Sequence, residues 1–417
     1  MGCRSRPSQT DRTGTLTDDS NRTKHRTATR LVEGGRRSEW TGAVVNPPVW
    51  RGSTHLYESH ADLLTGKPNA DGHFHYGRRG GPTQWALAEA LTEIEPGSAG
   101  TMLYPSGTAA LFSTLAAVLK SGDRLALSDN AYEPTRQIAF GPLAQMGVET
   151  MTFDPLDLDR FEDLCRSGIA AVMLESPGSQ TMEVCDVPAL AKIAHAHDAV
   201  VLLDNTWASP LGFAALENGV DITIMSLTKH VGGHSDLLMG SAAAGQQYYR
   251  AIRLAAQVQG QHVSPDDAAL AHRGLRTMQM RLAQSTANAL ALAQWLESRA
   301  EVAQVLCPML PGSPGHELWK RDFTGGCGLF SVVLKDADKA ARGRFLDALD
   351  LFGMGYSWGG FESLAIPFDP ERIRDRIAWP PAGCDPEDRL GVRFSVGLED
   401  TEDLIEDLEQ AFAAMHA

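Results

Sequence analysis

The sequence predicts an α/β protein in which a large, mostly parallel sheet precedes a smaller α/β domain. Three observations carry this. From about residue 85 to 245, short apolar runs alternate with segments long enough for crossover helices. Several of those runs are continuously apolar, as strands buried on both faces are. After residue 260 the pattern changes to a long helical periodicity followed by two further strand-like runs.

In chain order the strand candidates are "GTMLYPS" (100–106), "DRLALSD" (123–129), "AAVMLES" (170–176), "AVVLLDN" (199–205), "DITIMS" (221–226) and "GSAAAG" (240–245). A helix of Ala and Leu is expected to begin near Thr108, just after Ser106 and Gly107. Met278, Leu282, Ala289, Leu292, Ala293 and Leu296 recur at helical spacing without an intervening Pro or Gly, which predicts a long amphipathic helix. Strands are then expected at "GLFSVVL" (328–334) and "GVRFSVG" (391–397). A closing helix should start near Thr401 as its cap, with Glu402 and Asp403 suited to the first turn.

Composition narrows the function. The chain has 417 residues, 43% hydrophobic and 21% charged, enough to bury a sizeable core in two or three domains. No apolar run approaches the roughly 18 residues of a membrane span. The net charge of −15 argues against non-specific nucleic-acid binding. Six scattered cysteines without a CxxC pair fit free thiols in a reducing cytoplasm. Residues 1–25 are polar, lack the apolar centre of a secretory signal and read as a disordered extension. Gly2 opens no myristoylation pattern, because Arg6 stands where Ser or Thr is needed.

"DITIMSLTKH" (221–230) places Lys229 just beyond a buried strand, flanked by Ser226 and Thr228. In an open parallel sheet ligands sit beyond the carboxyl ends of the strands, so Lys229 and Asp204, which ends "VVLLD", can share one crevice. Taken alone, such a pair is more simply an ion pair at a sheet edge. A third element changes the balance. In "YPSGTAALFSTLAAVL" (104–119) a strand, a tight turn at Gly107 and a helix start at Thr108 offer free amides to a phosphate. The stretch is neither GxxxxGK[ST] nor GxGxxG, which argues against a nucleotide. A phosphate cradle, a lysine amine and a strand-end carboxylate together suit pyridoxal 5'-phosphate: the amine forms an imine with the aldehyde and the carboxylate keeps the pyridine nitrogen protonated. Hydroxyls of Ser226 and Thr228 can add donors to the phosphate.

"YGRRGGPT" (76–83), "AYEP" (131–134), "ESPGSQTMEVCDVP" (175–188), "DNTWASP" (204–210), "TKHVGGHSD" (228–236), "RGLRT" (273–277), "LPGSPGHELWKRDFTG" (310–325), "YSWGGFES" (356–363) and "GLED" (397–400) follow one another in the order of a known family. From about Thr29 to the carboxyl terminus the chain resembles the Cys/Met metabolism pyridoxal-phosphate enzymes of fold type I, the aspartate aminotransferase-like fold. Within that family it is most similar to the bacterial branch that cleaves cystathionine at Cβ.

The resemblance implies a role at each matching position. Lys229 would carry the cofactor and act on the substrate, Asp204 would pair with the pyridinium, and Gly107, Thr108, Ser226 and Thr228 would hold the phosphate. Tyr132 would stack on the ring and assist catalysis. Tyr76 and Arg78 would reach across a subunit boundary to the neighbouring chain's cofactor, Tyr76 also lining the substrate pocket. Arg393 would clamp the substrate α-carboxylate, with Ser357 and Trp358 beside it. Expected domains are a 26–75 arm contacting a neighbouring subunit, a 76–262 cofactor-binding domain, and a 263–417 unit of long helix and small domain. The implied enzyme is a cytoplasmic homotetramer, a dimer of dimers, that eliminates homocysteine from L-cystathionine, or a thiol from a cysteine S-conjugate, leaving pyruvate and ammonia. Alternatives are γ-lyase, γ-synthase or cysteine desulfhydrase chemistry, and a cofactor-binding regulator without turnover. Two departures bear on substrate preference: Gln257 stands near a position where tyrosine is common, and Thr108 replaces a small apolar residue. His73 with His75, His195 with His197, and His230 with His234 have spacings a metal could use, but no HExxH accompanies them and structural or solvent-facing roles are the simpler expectation.

Overall fold

The strand-like runs of the first half assemble into one sheet in the computed structural model, which describes residues 25–66, 72–372 and 374–416. The sheet contains β1 (Gly100–Tyr104), β2 (Arg124–Ser128), β3 (Glu149–Phe153), β4 (Ala171–Glu175), β5 (Val200–Asp204), β6 (Ile222–Ser226) and β7 (Gly240–Ala244). Their spatial order is β1-β7-β6-β5-β4-β2-β3. The pairs from β3 through β6 are parallel, and β7 runs antiparallel between β6 and β1. The expected strands all form. The unforeseen one, β3, lies at an edge and buries only Phe153 fully, so it lacks the continuous apolar run of a central strand such as β4. The extension expected at residues 1–25 falls outside the described residues up to residue 24.

Helices cover both faces. α1 (Gly107–Val118), α2 (Glu133–Ile138) and α3 (Gln246–Val258) lie on one, where Leu111, Leu115, Leu127 and Ile224 share an apolar layer. On the other, Leu87, Leu91, Leu203 and Leu275 belong to a layer that continues through α4 (Pro265–Glu297) into the second sheet, by way of Leu282, Leu292, Val332 and Phe394. Burial of this kind stabilises by roughly 1.5–3 kcal/mol per large aliphatic side chain. The long helix therefore ties the two sheets through one core.

α4 begins earlier than its periodicity alone indicates. Ser264 caps it by accepting the Asp266 amide, and Pro265 occupies the first helical position. Gly274 sits inside the helix because a Cβ there would stand 2.2 Å from the Val231 carbonyl oxygen. That close approach seats the helix against the loop that follows Lys229.

The second sheet holds β8 (Val302–Leu306), β9 (Leu329–Leu334), β10 (Gly353–Met354), β11 (Leu364–Phe368) and β12 (Gly391–Ser395), ordered β10-β11-β12-β9-β8. β9 and β12, fully buried, are the two that periodicity reveals. β8 is half-exposed, β10 is two residues long, and β11 carries Pro367, a residue that weakens any strand signal. The closing helix, α5 (Thr401–Met415), corrects one detail. Its cap is Asp400, whose carboxylate accepts the Glu402 amide, while Thr401 is the first helical residue and donates its hydroxyl to Asn288. Similarly, α1 starts at Gly107 with Ser106 as its cap. No described helix is long and apolar enough to cross a membrane.

Candidate active site

Three strand ends and one helix start converge at the carboxyl edge of the large sheet. Asp204 ends β5, Ser226 ends β6, Glu175 ends β4, and α1 begins beside them. Thr206 holds the Asp204 carboxylate in place: its amide donates to Oδ1 at 3.0 Å and its hydroxyl at 2.5 Å. The Thr206 hydroxyl also accepts the Ser226 amide at 2.9 Å, so the ends of β5 and β6 are locked together. Enclosure raises the Asp204 pKa, while the Thr206 hydrogen bonds and the Lys229 charge pull it back.

At the start of α1, Ser106 caps the Ala109 amide at 3.0 Å. The amides of Gly107 and Thr108 have no acceptor among the described residues, as expected at a helix N-terminus. A Cβ on Gly107 would lie 2.9 Å from the Ser226 Cβ and 3.1 Å from its Oγ. The missing side chain thus keeps open a small cradle between these amides and the Ser226 hydroxyl. Thr228 has a different partner. Its hydroxyl accepts the Met239 amide at 3.0 Å and donates to the Met239 carbonyl at 3.3 Å, pinning the loop that carries Lys229 to the start of β7.

Lys229 reaches from this loop toward the second sheet. Its Nζ donates to the Ser357 Oγ at 2.6 Å and lies 5.5 Å from the centre of the Trp358 ring. Enclosure, then repulsion from Arg393, lowers its pKa to about 8, against the attraction of Asp204. Arg393, on β12, donates to the Ser357 carbonyl at 2.8 Å. Its Nε is buried without an acceptor among the described residues, and burial lowers the guanidinium pKa to about 10. A buried cation with unused donors suits an incoming carboxylate. Ser357 has a φ of 101°, a left-handed conformation unusual for a residue with a side chain.

Tyr132 stands at the start of α2, with its amide donating to the Glu175 carboxylate at 2.6 Å. Its phenol pKa is raised by enclosure, then by the charges of Glu175 and Asp204, with Arg393 opposing. The structure therefore gathers Asp204, Lys229, Tyr132, Ser226, Gly107, Thr108, Ser357, Trp358 and Arg393 in one cleft. Tyr76 and Arg78 are not brought to it within the chain. Tyr76 is half-exposed, and Arg78 donates to the Gln257 carbonyl at the end of α3.

Sequence reading assigned no role to Thr206 or Glu175, while the structural role expected for His230 is the one it has. Thr206 had a signal: a hydroxyl two residues after an Asp is a common local turn partner. His230 is buried, hydrogen-bonds the Trp207 carbonyl at 3.1 Å and meets the Trp358 ring edge-on at 5.3 Å; burial lowers its pKa to about 4, so it supports the indole as a neutral ring.

The cleft fits pyridoxal 5'-phosphate on its own geometry. A Cβ at Gly107 would crowd the Ser226 hydroxyl that stands beside the free amides of the α1 start, the Asp204 carboxylate is anchored by Thr206 with Lys229 nearby, and Lys229 has a lowered pKa suited to a nucleophilic amine.

Comparison with known proteins agrees. The family model for Cys/Met metabolism PLP-dependent enzymes matches residues 28–413. Cystathionine β-lyase MetC of Escherichia coli (strain K12) is 41% identical, over 92% of this chain and 98% of its own length. An L-alanine/L-glutamate racemase of Wolbachia pipientis wMel is 35% identical, over 92% of this chain and 96% of its own. The solved structure of cystathionine γ-synthase from Xanthomonas oryzae pv. oryzae in complex with cystathionine superposes with a TM-score of 0.84 at 30% identity, covering 94% of this chain and 99% of that one. The chain, with its lysine and aspartate at adjoining strand ends, belongs to the family of Cys/Met metabolism PLP-dependent enzymes.

Proposed function

We propose that this enzyme is a carbon-sulfur β-lyase that converts L-cystathionine, or a related cysteine S-conjugate, into homocysteine or the matching thiol, pyruvate and ammonia. The observation that carries the reading is the Lys229 amine held between the Asp204 edge and the Ser357, Trp358 and Arg393 face, a site for an amino acid next to a cofactor. The likeness to E. coli cystathionine β-lyase supports the choice of substrate and bond.

When bound, the cofactor supplies an electron sink for a carbanion at the substrate Cα. Lys229 would hold it, and its free Nζ would take the Cα proton; the pKa of about 8 leaves a useful fraction neutral at physiological pH. Asp204 would pair with the ring nitrogen. The amides of Gly107 and Thr108, with the hydroxyls of Ser226 and Thr228, receive the phosphate; Thr228 would need to share its hydroxyl with Met239. Tyr132 would cover the ring and steer the incoming amine. Arg393 clamps the α-carboxylate with two parallel hydrogen bonds, and Ser357 and Trp358 close the pocket that orients Cβ and its sulfur.

Tyr76 and Arg78 complete the site of a neighbouring subunit, within a dimer of dimers to which the 26–75 arm contributes. Both lie away from the cleft of their own chain, which supports that assignment. Free thiols at the five described cysteines accord with a cytoplasmic enzyme. The second reading is γ-elimination or γ-replacement, favoured by the likeness to cystathionine γ-synthase. Incubating the purified holoenzyme with cystathionine tests both: pyruvate is expected, and 2-oxobutyrate alone would overturn the β-lyase assignment. A cofactor absorbance with no turnover of cystathionine, cystine or cysteine would point instead to a regulatory protein.

A further inference from the structure

Glu175 stands among the converging strand ends but holds no place in the proposed reaction. It ends β4, and in the parallel register Glu175 is paired with Asp204 at the end of β5. Paired residues on neighbouring parallel strands project to the same side about 4.8 Å apart, so two carboxyl groups face one cleft side by side. Solvent touches Glu175, yet protein surrounds it on most sides. Its Oε2 accepts the Tyr132 amide at 2.6 Å, which fixes the residue that opens α2 and carries the phenol. Two adjacent carboxylates in such a place do not both ionise readily. The surroundings decide between them. Asp204 receives two hydrogen bonds from Thr206 and has Lys229 nearby. Glu175 has the amide of Tyr132, with Asp204 and Glu183 as like charges and Arg374 as the opposing one. Enclosure first, and Asp204 next, push its pKa well above the usual carboxylate range.

We propose that Glu175 is a positioning residue, which holds Tyr132 over the site through the Tyr132 amide and does so as an uncharged carboxyl, leaving the charge of the pair on Asp204. The inference rests on the reading of Lys229, Asp204 and Tyr132 as the cofactor site, and extends it to a residue that acts through Tyr132.

The test uses holoenzyme carrying Glu175→Gln, Glu175→Ala, Tyr132→Ala, or Glu175→Ala with Tyr132→Ala. It reads the pH titration of the cofactor's visible band alongside kcat and KM. Glutamine keeps a neutral oxygen acceptor, so E175Q should retain the band, its titration and kcat/KM to within about threefold. E175A removes the acceptor and should lower kcat/KM by about tenfold. Because Glu175 acts through Tyr132, adding E175A to Y132A should cost no more than Y132A alone. An E175Q enzyme as impaired as E175A, or with a displaced band titration, would overturn the uncharged role. Additive losses in the double variant, or an E175A enzyme indistinguishable from the parent, would overturn the positioning role. Should E175A fail to fold, E175Q and its titration still decide the matter. The Lys229→Ala variant separates the underlying reading, since a band surviving there would refute the cofactor site whatever Glu175 does.

Discussion

The two walls of the cleft are built on different plans. On the large-sheet wall, Asp204 and Ser226 sit at the ends of central strands, Gly107 and Thr108 at a helix start, and short backbone-directed hydrogen bonds from Thr206 and Ser106 hold them. On the opposite wall, Ser357 and Trp358 lie in the loop between β10 and β11, with a left-handed Ser357, and Arg393 reaches in from β12 with a buried donor still unused. The first wall is fixed before any ligand arrives. The second carries a left-handed Ser357 and, like the Gly107 and Thr108 amides of the first, a donor without a partner, here the Arg393 guanidinium, which the carboxylate of a bound amino acid can satisfy. Cofactor and substrate functions should therefore separate along this line, and variants can show whether they do.

The largest effect is expected on the first wall. Lys229→Ala should abolish the visible absorption of lysine-bound cofactor and all turnover, read by spectrophotometry; an unchanged band would contradict the division at its base. On the second wall, Arg393→Ala should leave that band in place and raise KM for cystathionine by at least about thirtyfold, the scale of losing one partner from a buried charge pair. If the band vanished in R393A as well, the two walls would not be separable.

A pH experiment probes the contact between them. The lowered Lys229 pKa of about 8 means the neutral, nucleophilic amine dominates above that pH and becomes scarce below it. Uptake of pyridoxal 5'-phosphate by the cofactor-free protein, followed as growth of the visible band, should slow about tenfold per pH unit below 8 and level off above. A rate still climbing at pH 10 would show an ordinary lysine. Because Arg393 contributes to the lowering, R393A should move the break upward.

The smallest effect is expected from Ser357→Gly. Glycine removes the cost of the left-handed backbone, about 1 kcal/mol, but deletes the hydroxyl that holds Nζ. Thermal unfolding should shift by only a few degrees in either direction, with the band kept and KM modestly raised. A large loss of stability would mean that the strained loop braces the fold, not the substrate.

Much of this was legible in the chain alone. The strands β1, β2 and β4 to β7 announce themselves because burial on both faces demands continuous apolar runs, and "TKHVGGHSD" and "DNTWASP" mark Lys229 and Asp204 because backbone turns there admit few alternatives. The edge strands β3 and β8 escaped for the converse reason: unlike β1, they are partly exposed along most of their length and need no such pattern. Thr206 and Glu175 escaped because their importance lies in which atoms they meet, not in their spacing.

By itself, then, the sequence determined the alternation of elements and the cofactor, and pointed to Asp204, Ser226, Gly107 and Thr108 as the groups that would hold it, all from local pattern and strand termination. Tertiary structure alone decided that Ser357 would meet Lys229 across 128 positions of chain, that Arg393 would keep a donor in reserve, and that Glu175 would face Asp204. Such relations depend on strand order and on the closure of two sheets around one long helix. No periodicity encodes them, because the entropy of loop closure changes only slowly with separation along the chain and so does not select which distant residues meet.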